Sequence, residues 1–103
     1  MYEVRTTPTL SANTLTQVCS LELPMGKYII VADVLFYEND NSFLSQIMIG
    51  NDVLVKDSGY DSGGYTATNC CTLVELTQTT TIILKTQCSK TAETRCTLRA
   101  NNF

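Results

Sequence analysis

The sequence predicts an all-β fold, an antiparallel β-sandwich with jelly-roll topology, seven to eight strands and no substantial helix. Short apolar or alternating runs are separated by clusters of Gly, Asn, Asp and Ser, which is typical of all-β domains. No heptad and no long 3.6-residue periodicity occurs, and the connections between the runs are short. At 103 residues the chain is predicted to form one domain, with residues 1–13 as an N-terminal edge segment.

Seven segments are predicted to be strands because each is apolar or alternating and ends at a turn signal. The turns contain Gly, Asn, Asp and Ser, which bond nearby backbone or accept positive φ. The segment 2–6 adds an eighth strand if it pairs at a sheet edge. The seven predicted strands are residues 15–21, 27–37, 43–49, 53–56, 66–76, 80–88 and 94–100.

One segment, residues 27–37, is largely apolar on both faces when it is extended. Successive side chains of a strand point to opposite faces, and a small antiparallel domain usually buries only one face of each sheet. We therefore expect another subunit to cover the second face, with the alternative that a loop of the same chain covers it. The expected interface residues are Ile29, Val31, Leu35 and Tyr37.

The five cysteines are Cys19, Cys70, Cys71, Cys88 and Cys96, so at least one has no partner within a monomer. The start of the chain lacks the charged and apolar regions of a signal peptide, which favours reduced thiols that pack as small apolar residues. The last two predicted strands can form a hairpin with Cys88 opposite Cys96. A disulfide between these two residues is the alternative to reduced thiols.

The charge and the apolar pattern disfavour two classes of partner. Seven Lys and Arg against ten Asp and Glu give a net charge of -3, and there is no basic run. Binding to nucleic acid or to an anionic membrane surface is therefore disfavoured. No apolar segment approaches the roughly 20 residues of a membrane span, so we expect no membrane insertion.

The sequence offers little support for catalysis or metal binding. Histidine is absent, which removes the commonest general base and the Ser–His and Cys–His pairs. Vicinal Cys70 and Cys71 point to opposite faces of a strand, so they make a poor zinc pair. Residues 38–41 offer oxygens to calcium but lack spaced acidic ligands, which favours a solvated turn. We expect a protein that is not an enzyme, with no catalytic residue, metal or cofactor.

Residues 57–65 are the best candidate for ligand recognition. This predicted loop combines Tyr60 and Tyr65 with Asp57, Asp61 and small flexible residues, a composition suited to adaptable contacts. An aromatic ring can stack on a sugar face while nearby carboxylates accept hydrogen bonds from its hydroxyl groups. The alternative is an ordinary exposed loop, because Asp-Ser-Gly repeats also make simple turns.

Two stretches resemble a known family, VCSLELPMGKYIIVA at residues 18–32 and TTIILKTQ at residues 80–87. The first looks like the strand, Leu-Pro-x-Gly-x-Tyr, strand opening of compact jelly rolls in the superfamily of complement-type globular heads and tumour necrosis factors. The second is similar to the segment before the C-terminal strand, which in that family returns beside the first. The resemblance covers residues 15–103. It implies a homotrimer around a threefold axis, with one sheet of each copy facing the axis.

Small members of that superfamily are frequent as trimeric tips of bacteriophage tail fibres and receptor-binding proteins. The resemblance therefore implies a viral module on the virion surface that recognises a host cell-surface ligand. We expect a glycan or a protein as that ligand, with a saccharide first, bound without catalysis through several weak sites at once. The alternative is a trimerisation or capsid-decoration domain with no ligand of its own.

Overall fold

The structure is a computed structural model that describes residues 1–38, 40–61 and 66–103. Within these residues the chain forms nine strands and no helix, so no helix in this part of the chain is available to span a membrane. The strands are β1 (Tyr2–Thr6), β2 (Thr9–Leu10), β3 (Thr16–Leu23), β4 (Gly26–Phe36), β5 (Asn41–Ile49), β6 (Asp52–Asp61), β7 (Thr66–Leu76), β8 (Thr80–Cys88) and β9 (Ala92–Asn102).

The strands form two antiparallel sheets that pack face to face as a sandwich. The β4 sheet has the order β1-β9-β4-β7, and the two-residue β2 also pairs with β9. The β8 sheet has the order β3-β8-β5-β6. Setting β2 aside, this arrangement of eight strands is the jelly roll. The predicted fold class is therefore confirmed, and the N-terminal segment does pair at an edge, beside β9.

Among the described strands, β5 and β6 are the only neighbours in the chain that also pair with each other. Their turn contains Gly50 at a φ of +57°, a left-handed conformation that glycine adopts without steric cost. Every other long strand pairs with partners distant in sequence. The fold therefore depends on long-range pairing, which no local pattern in the sequence specifies.

The core lies between the sheets and takes one face of β4. The even-numbered side chains Tyr28, Ile30, Ala32, Val34 and Phe36 are all at most 2% exposed. The ring of Phe36 packs against that of Phe43 on the β8 sheet, with centroids 4.3 Å apart. Alternation along β4 therefore fixes which side chains are buried, as the sequence predicts.

The predicted hairpin between the last two strands is wrong. Strand β8 belongs to one sheet and β9 to the other, so Cys88 pairs with Phe43 while Cys96 pairs with Val34 and Thr6. Cys88 and Cys96 are free thiols rather than a disulfide. Their burial was nevertheless predicted correctly, because the even-numbered residues of both strands face the core whether or not the two strands pair.

Four of the five cysteines are buried and Cys71 is exposed. Burial raises the pKa of the Cys19, Cys88 and Cys96 thiols. It raises the pKa of Cys70 to about 11, with the nearby Asp57 charge as a second cause. Cys70 and Cys71 face opposite sides of β7, as predicted for adjacent strand residues.

One end of the sandwich, called here the loop end, contains residues 7–15, 37, 38, 40 and 89–91. Asn41 at the start of β5 is fully buried and anchors the turn between β8 and β9. Its Oδ1 accepts hydrogen bonds from Ser89 N at 2.7 Å, Ser89 Oγ at 2.8 Å and Lys90 N at 3.0 Å. Its Nδ2 donates to Lys90 O at 3.2 Å. The entry into β9 is therefore held rigidly against β5.

Candidate functional site

The outer face of the β4 sheet carries a band of apolar side chains, named here the apolar strip. Strand β4 contributes half-buried residues, because it lies between β9 and β7 and both neighbours shelter it. Strand β7 lies at the edge of the sheet, so its side chains in the strip are more exposed to water, and Leu73 is 64% exposed. The strip pairs Ile29 with Leu73, Val31 with Cys71 and Leu35 with Ala67.

A polar pair interrupts the apolar strip at its middle. Asp33 on β4 lies opposite Asn69 on β7, and Asn69 Nδ2 donates a hydrogen bond to Asp33 Oδ1. This contact gives one oxygen of the carboxylate a partner within the face. The strip is therefore two apolar patches separated by one internally bonded polar pair.

Strand β9 borders the strip with positive charge. Arg95 pairs with Leu35 and Arg99 with Val31, so both arginines lie directly beside the strip. Glu3 on β1 accepts a hydrogen bond from Arg99 Nε at 2.7 Å, which is the main reason that the pKa of Glu3 is lowered. The face is therefore apolar along β4 and β7 and charged along β9 and β1.

The four predicted interface residues separate into two groups. Ile29, Val31 and Leu35 lie together on the outer face, as predicted. Tyr37 lies beyond the end of β4, where its backbone N donates to Glu93 O at 3.0 Å. Tyr37 instead lines an open groove at the loop end.

This groove, named here the loop-end groove, has a volume of about 630 Å³. Its base is fixed by Thr94, whose N and Oγ1 both donate to Pro8 O, at 3.1 and 2.7 Å. Its charged side chains, Glu93 and Arg95, are exposed. The groove is lined by Thr7, Thr9, Tyr37, Glu93, Thr94 and Arg95.

The groove offers hydrogen-bond donors, acceptors and an aromatic ring in one place. Arg95 donates, the Glu93 carboxylate accepts, and the hydroxyls of Thr7 and Thr9 do both. The sequence predicted none of the six lining residues to bind ligand, since it assigned Tyr37 to the oligomer interface. The six residues come from three distant segments, and no local spacing marks them as a group.

The predicted recognition loop at residues 57–65 is wrong in its first part, because β6 continues to Asp61. Asp57 accepts a hydrogen bond from Asn69 N at 2.9 Å and so covers a backbone donor of the edge strand β7. Tyr60 is 64% exposed and, by strand alternation, projects from the opposite face to Asp57. Asp61 pairs with Asn41 in the register of β6, and Tyr65 lies outside the described residues. Asp57 and Tyr60 therefore do not form one site.

The fold is similar to solved structures of virus particles. A structure of infectious bursal disease virus, Gx strain, aligns with 98% of this chain at a TM-score of 0.60 and 12% identity. A crystal structure of the VP2 subviral particle of infectious bursal disease virus also aligns with 98%, at a TM-score of 0.61 and 11% identity. This chain spans 32% of the length of each of those chains.

At such identities the likeness shows a shared sandwich fold. No protein-family model matches the chain, and no curated protein matches its sequence. The more specific resemblance to complement-type heads and tumour necrosis factors therefore stays a prediction.

Proposed function

We propose that this chain is a structural module of a virus particle, which assembles as a homotrimer through the apolar strip and attaches the particle to a host-cell ligand. The observation that carries the proposal is the apolar strip on the outer face of a jelly roll similar in fold to proteins of virus particles. A position at the tip of a bacteriophage tail fibre rests on the sequence resemblance alone.

The strip supports self-association because a single copy leaves it in contact with water. Full burial of a leucine side chain is worth about 1.5–3 kcal/mol. Covering the exposed 64% of Leu73 is therefore worth about 1–2 kcal/mol per copy. Association also costs several kcal/mol of lost freedom, so Leu73 must act together with Ile29, Val31 and Leu35.

Charge favours another copy of this chain as the occupant. Arg95 and Arg99 border the strip on the β9 side, while the exposed Glu75 lies on β7 at the other side. In the proposed cyclic trimer the contacts run head to tail, so the β7 edge of one copy packs over the β9 side of the next copy. That arrangement places the β7 edge with Glu75 beside the β9 side with Arg95 and lets the same strip be covered three times. Within one copy Glu75 lies opposite Lys27. Arg99 already donates to Glu3.

A trimer also gives a mechanism for attachment. Three identical sites on one rigid particle surface convert weak single contacts into strong overall binding, because the second and third contacts are intramolecular. A host cell-surface ligand that is dense and repeated, such as a glycan, suits this mode.

The test is the mass in solution at about 10 μM, a concentration that a micromolar assembly survives. Size-exclusion chromatography with light scattering should give three times the chain mass of 11.4 kDa. Leu73→Asp should shift the mass to one chain, because it places a carboxylate in the covered strip. Val53→Asp is the matched control, since Val53 is 44% exposed on the other sheet and should leave the trimer intact.

A wild-type protein that stays a monomer would contradict the proposed assembly. A trimer that survives Leu73→Asp but dissociates with Val53→Asp would place the contact on the other sheet.

A second candidate is a trimerisation or capsid-decoration domain without a ligand. The similarity to a virus particle and a subviral particle favours it, because a building module needs no receptor. A labelled wild-type trimer that fails to bind host cells would support this candidate over attachment.

A further inference from the structure

We infer that the loop-end groove is a saccharide-binding site, with the ring of Tyr37 as its platform and Glu93 and Arg95 as its hydroxyl-binding pair. The inference rests on the proposed attachment function and names its ligand class and residues. The groove replaces the site that the sequence predicts at residues 57–65. In that predicted site the Asp57 carboxylate already accepts a hydrogen bond from Asn69 N.

The size of the groove suits a small sugar. At about 630 Å³ it falls within the range of about 300–1,000 Å³ that is usual for small-molecule sites. It is open to solvent along one side, which leaves room for a sugar that is part of a longer chain. An open groove of this kind binds a terminal or internal unit of a glycan without enclosing it.

The chemistry of the lining favours a polyhydroxylated ligand over a purely charged or apolar one. Glu93 and Arg95 have opposite charges, so the pair carries no net charge for attracting an ion. Together they present two acceptor oxygens and several donors, which match the alternating donor and acceptor character of sugar hydroxyl groups. Thr7 and Thr9 add hydroxyls at the rim.

Tyr37 gives the groove an apolar surface beside these polar groups. A pyranose ring has a face of C–H groups that packs on an aromatic ring while its hydroxyls point sideways. Tyrosine supplies such a surface at a low entropy cost, because it has only two side-chain torsions to fix. The half-buried state of Tyr37 limits its motion further.

The groove is built on rigid backbone, which preorganises it. Tyr37 N bonds to Glu93 O at 3.0 Å, Thr9 pairs with Glu93, and Thr94 holds Pro8 through two hydrogen bonds. Sites on paired strands keep their geometry better than sites on free loops. Such a site binds without a conformational rearrangement.

The groove also adjoins the apolar strip. Arg95 lines the groove and pairs with Leu35 of the strip, so a neighbouring copy seated on the strip reaches the border of the groove. Binding by the assembled protein should therefore exceed that of the monomeric Leu73→Asp variant.

The experiment is a titration of the assembled protein followed by amide NMR, with D-galactose, D-glucose, N-acetyl-D-glucosamine and N-acetylneuraminate as probes. Each sugar is used at up to about 10 mM, which detects affinities in the millimolar range. At least one should shift the amides of Tyr37, Glu93 and Arg95. Loss of the ring in Tyr37→Leu should weaken binding at least about tenfold, whereas Tyr37→Phe should retain it.

Two matched variants make the test specific. Tyr60→Leu removes an exposed tyrosine ring from the surface that the sequence predicts to bind ligand, and Glu22→Gln removes an exposed carboxylate from β3 on the other sheet. Both should leave sugar binding unchanged, whereas Glu93→Gln should weaken it. Each variant is checked for trimeric mass and for an unchanged amide spectrum outside the substituted position.

The possible outcomes separate the two proposals. A trimer that binds host cells but shows no amide shift with any of the four sugars overturns the groove as a saccharide site and leaves attachment standing, with a protein receptor as the next ligand to test. Sugar shifts abolished by Tyr60→Leu, but not by Tyr37→Leu, also overturn it. A monomeric wild-type protein whose groove amides shift supports the groove while contradicting the trimer.

Discussion

Replacement of Asn41 by alanine should strongly destabilise the protein, because it removes the anchor of the turn between β8 and β9. The side chain is fully buried and makes four hydrogen bonds to Ser89 and Lys90. Three of these involve backbone groups of the turn, and each bond is worth about 1 kcal/mol net. The expected loss is about 3 kcal/mol, because Ser89 and Lys90 lie near the surface and water replaces part of what is lost.

The assays are urea unfolding and thermal unfolding, both followed by far-ultraviolet circular dichroism. A loss of about 3 kcal/mol corresponds to a fall in Tm of about 12–24 °C for a domain of this size. Asn51→Ala is the control, because Asn51 is exposed in the turn at the opposite end and should change stability by less than about 0.5 kcal/mol. An Asn41→Ala loss below about 1 kcal/mol at unchanged m-value would show that the turn does not depend on Asn41.

Two further predictions concern the cysteines and the charged edge. At about pH 8 an alkylating reagent should label Cys71 alone in the folded, monomeric Leu73→Asp variant, since the other four thiols are buried with raised pKa values. In the assembled protein a neighbouring copy covers the strip, so Cys71 should react more slowly there. Mass spectrometry that finds Cys88 or Cys96 labelled before Cys71 in the variant would refute this. The hydrogen bond from Arg99, with a smaller effect of Arg5, lowers the pKa of Glu3 below its ordinary value of 4.5. The ionised carboxylate therefore stabilises the fold above pH 4.5, and this stabilisation is lost as the pH falls through the lowered pKa. Glu3→Gln should therefore flatten the acid side of the stability profile measured by urea midpoints, and an unchanged profile would contradict this reasoning.

The strand boundaries and the buried face of each strand could largely be predicted from the sequence. Predicted strands 66–76 and 80–88 coincide with β7 and β8, and 27–37 differs from β4 by one residue at each end. These features are local, because the alternation of apolar side chains is set by the pleat of a single strand. The same reasoning correctly identified Ile29, Val31 and Leu35 as the second face of β4.

The prediction of β6 failed because pairing overrode local turn signals. Asp57, Ser58 and Gly59 are strong turn formers, yet β6 continues through them in register with β5. The Asp57 carboxylate bonds to Asn69 N on β7, so a residue expected to bind ligand instead closes the side of the sandwich. Neither partner is near Asp57 in the sequence.

The sequence by itself determined that this chain is an all-β domain, where its strands lie, and that one strand is apolar on both faces. Only the tertiary structure decided that β8 and β9 belong to different sheets, which separates Cys88 from Cys96. It also brought residues 7–9, 37 and 93–95 together around one groove. The physical reason is that the alternation of side chains between two faces is a property of a single strand. The choice of partner strand, in contrast, depends on how both sheets together bury their apolar faces.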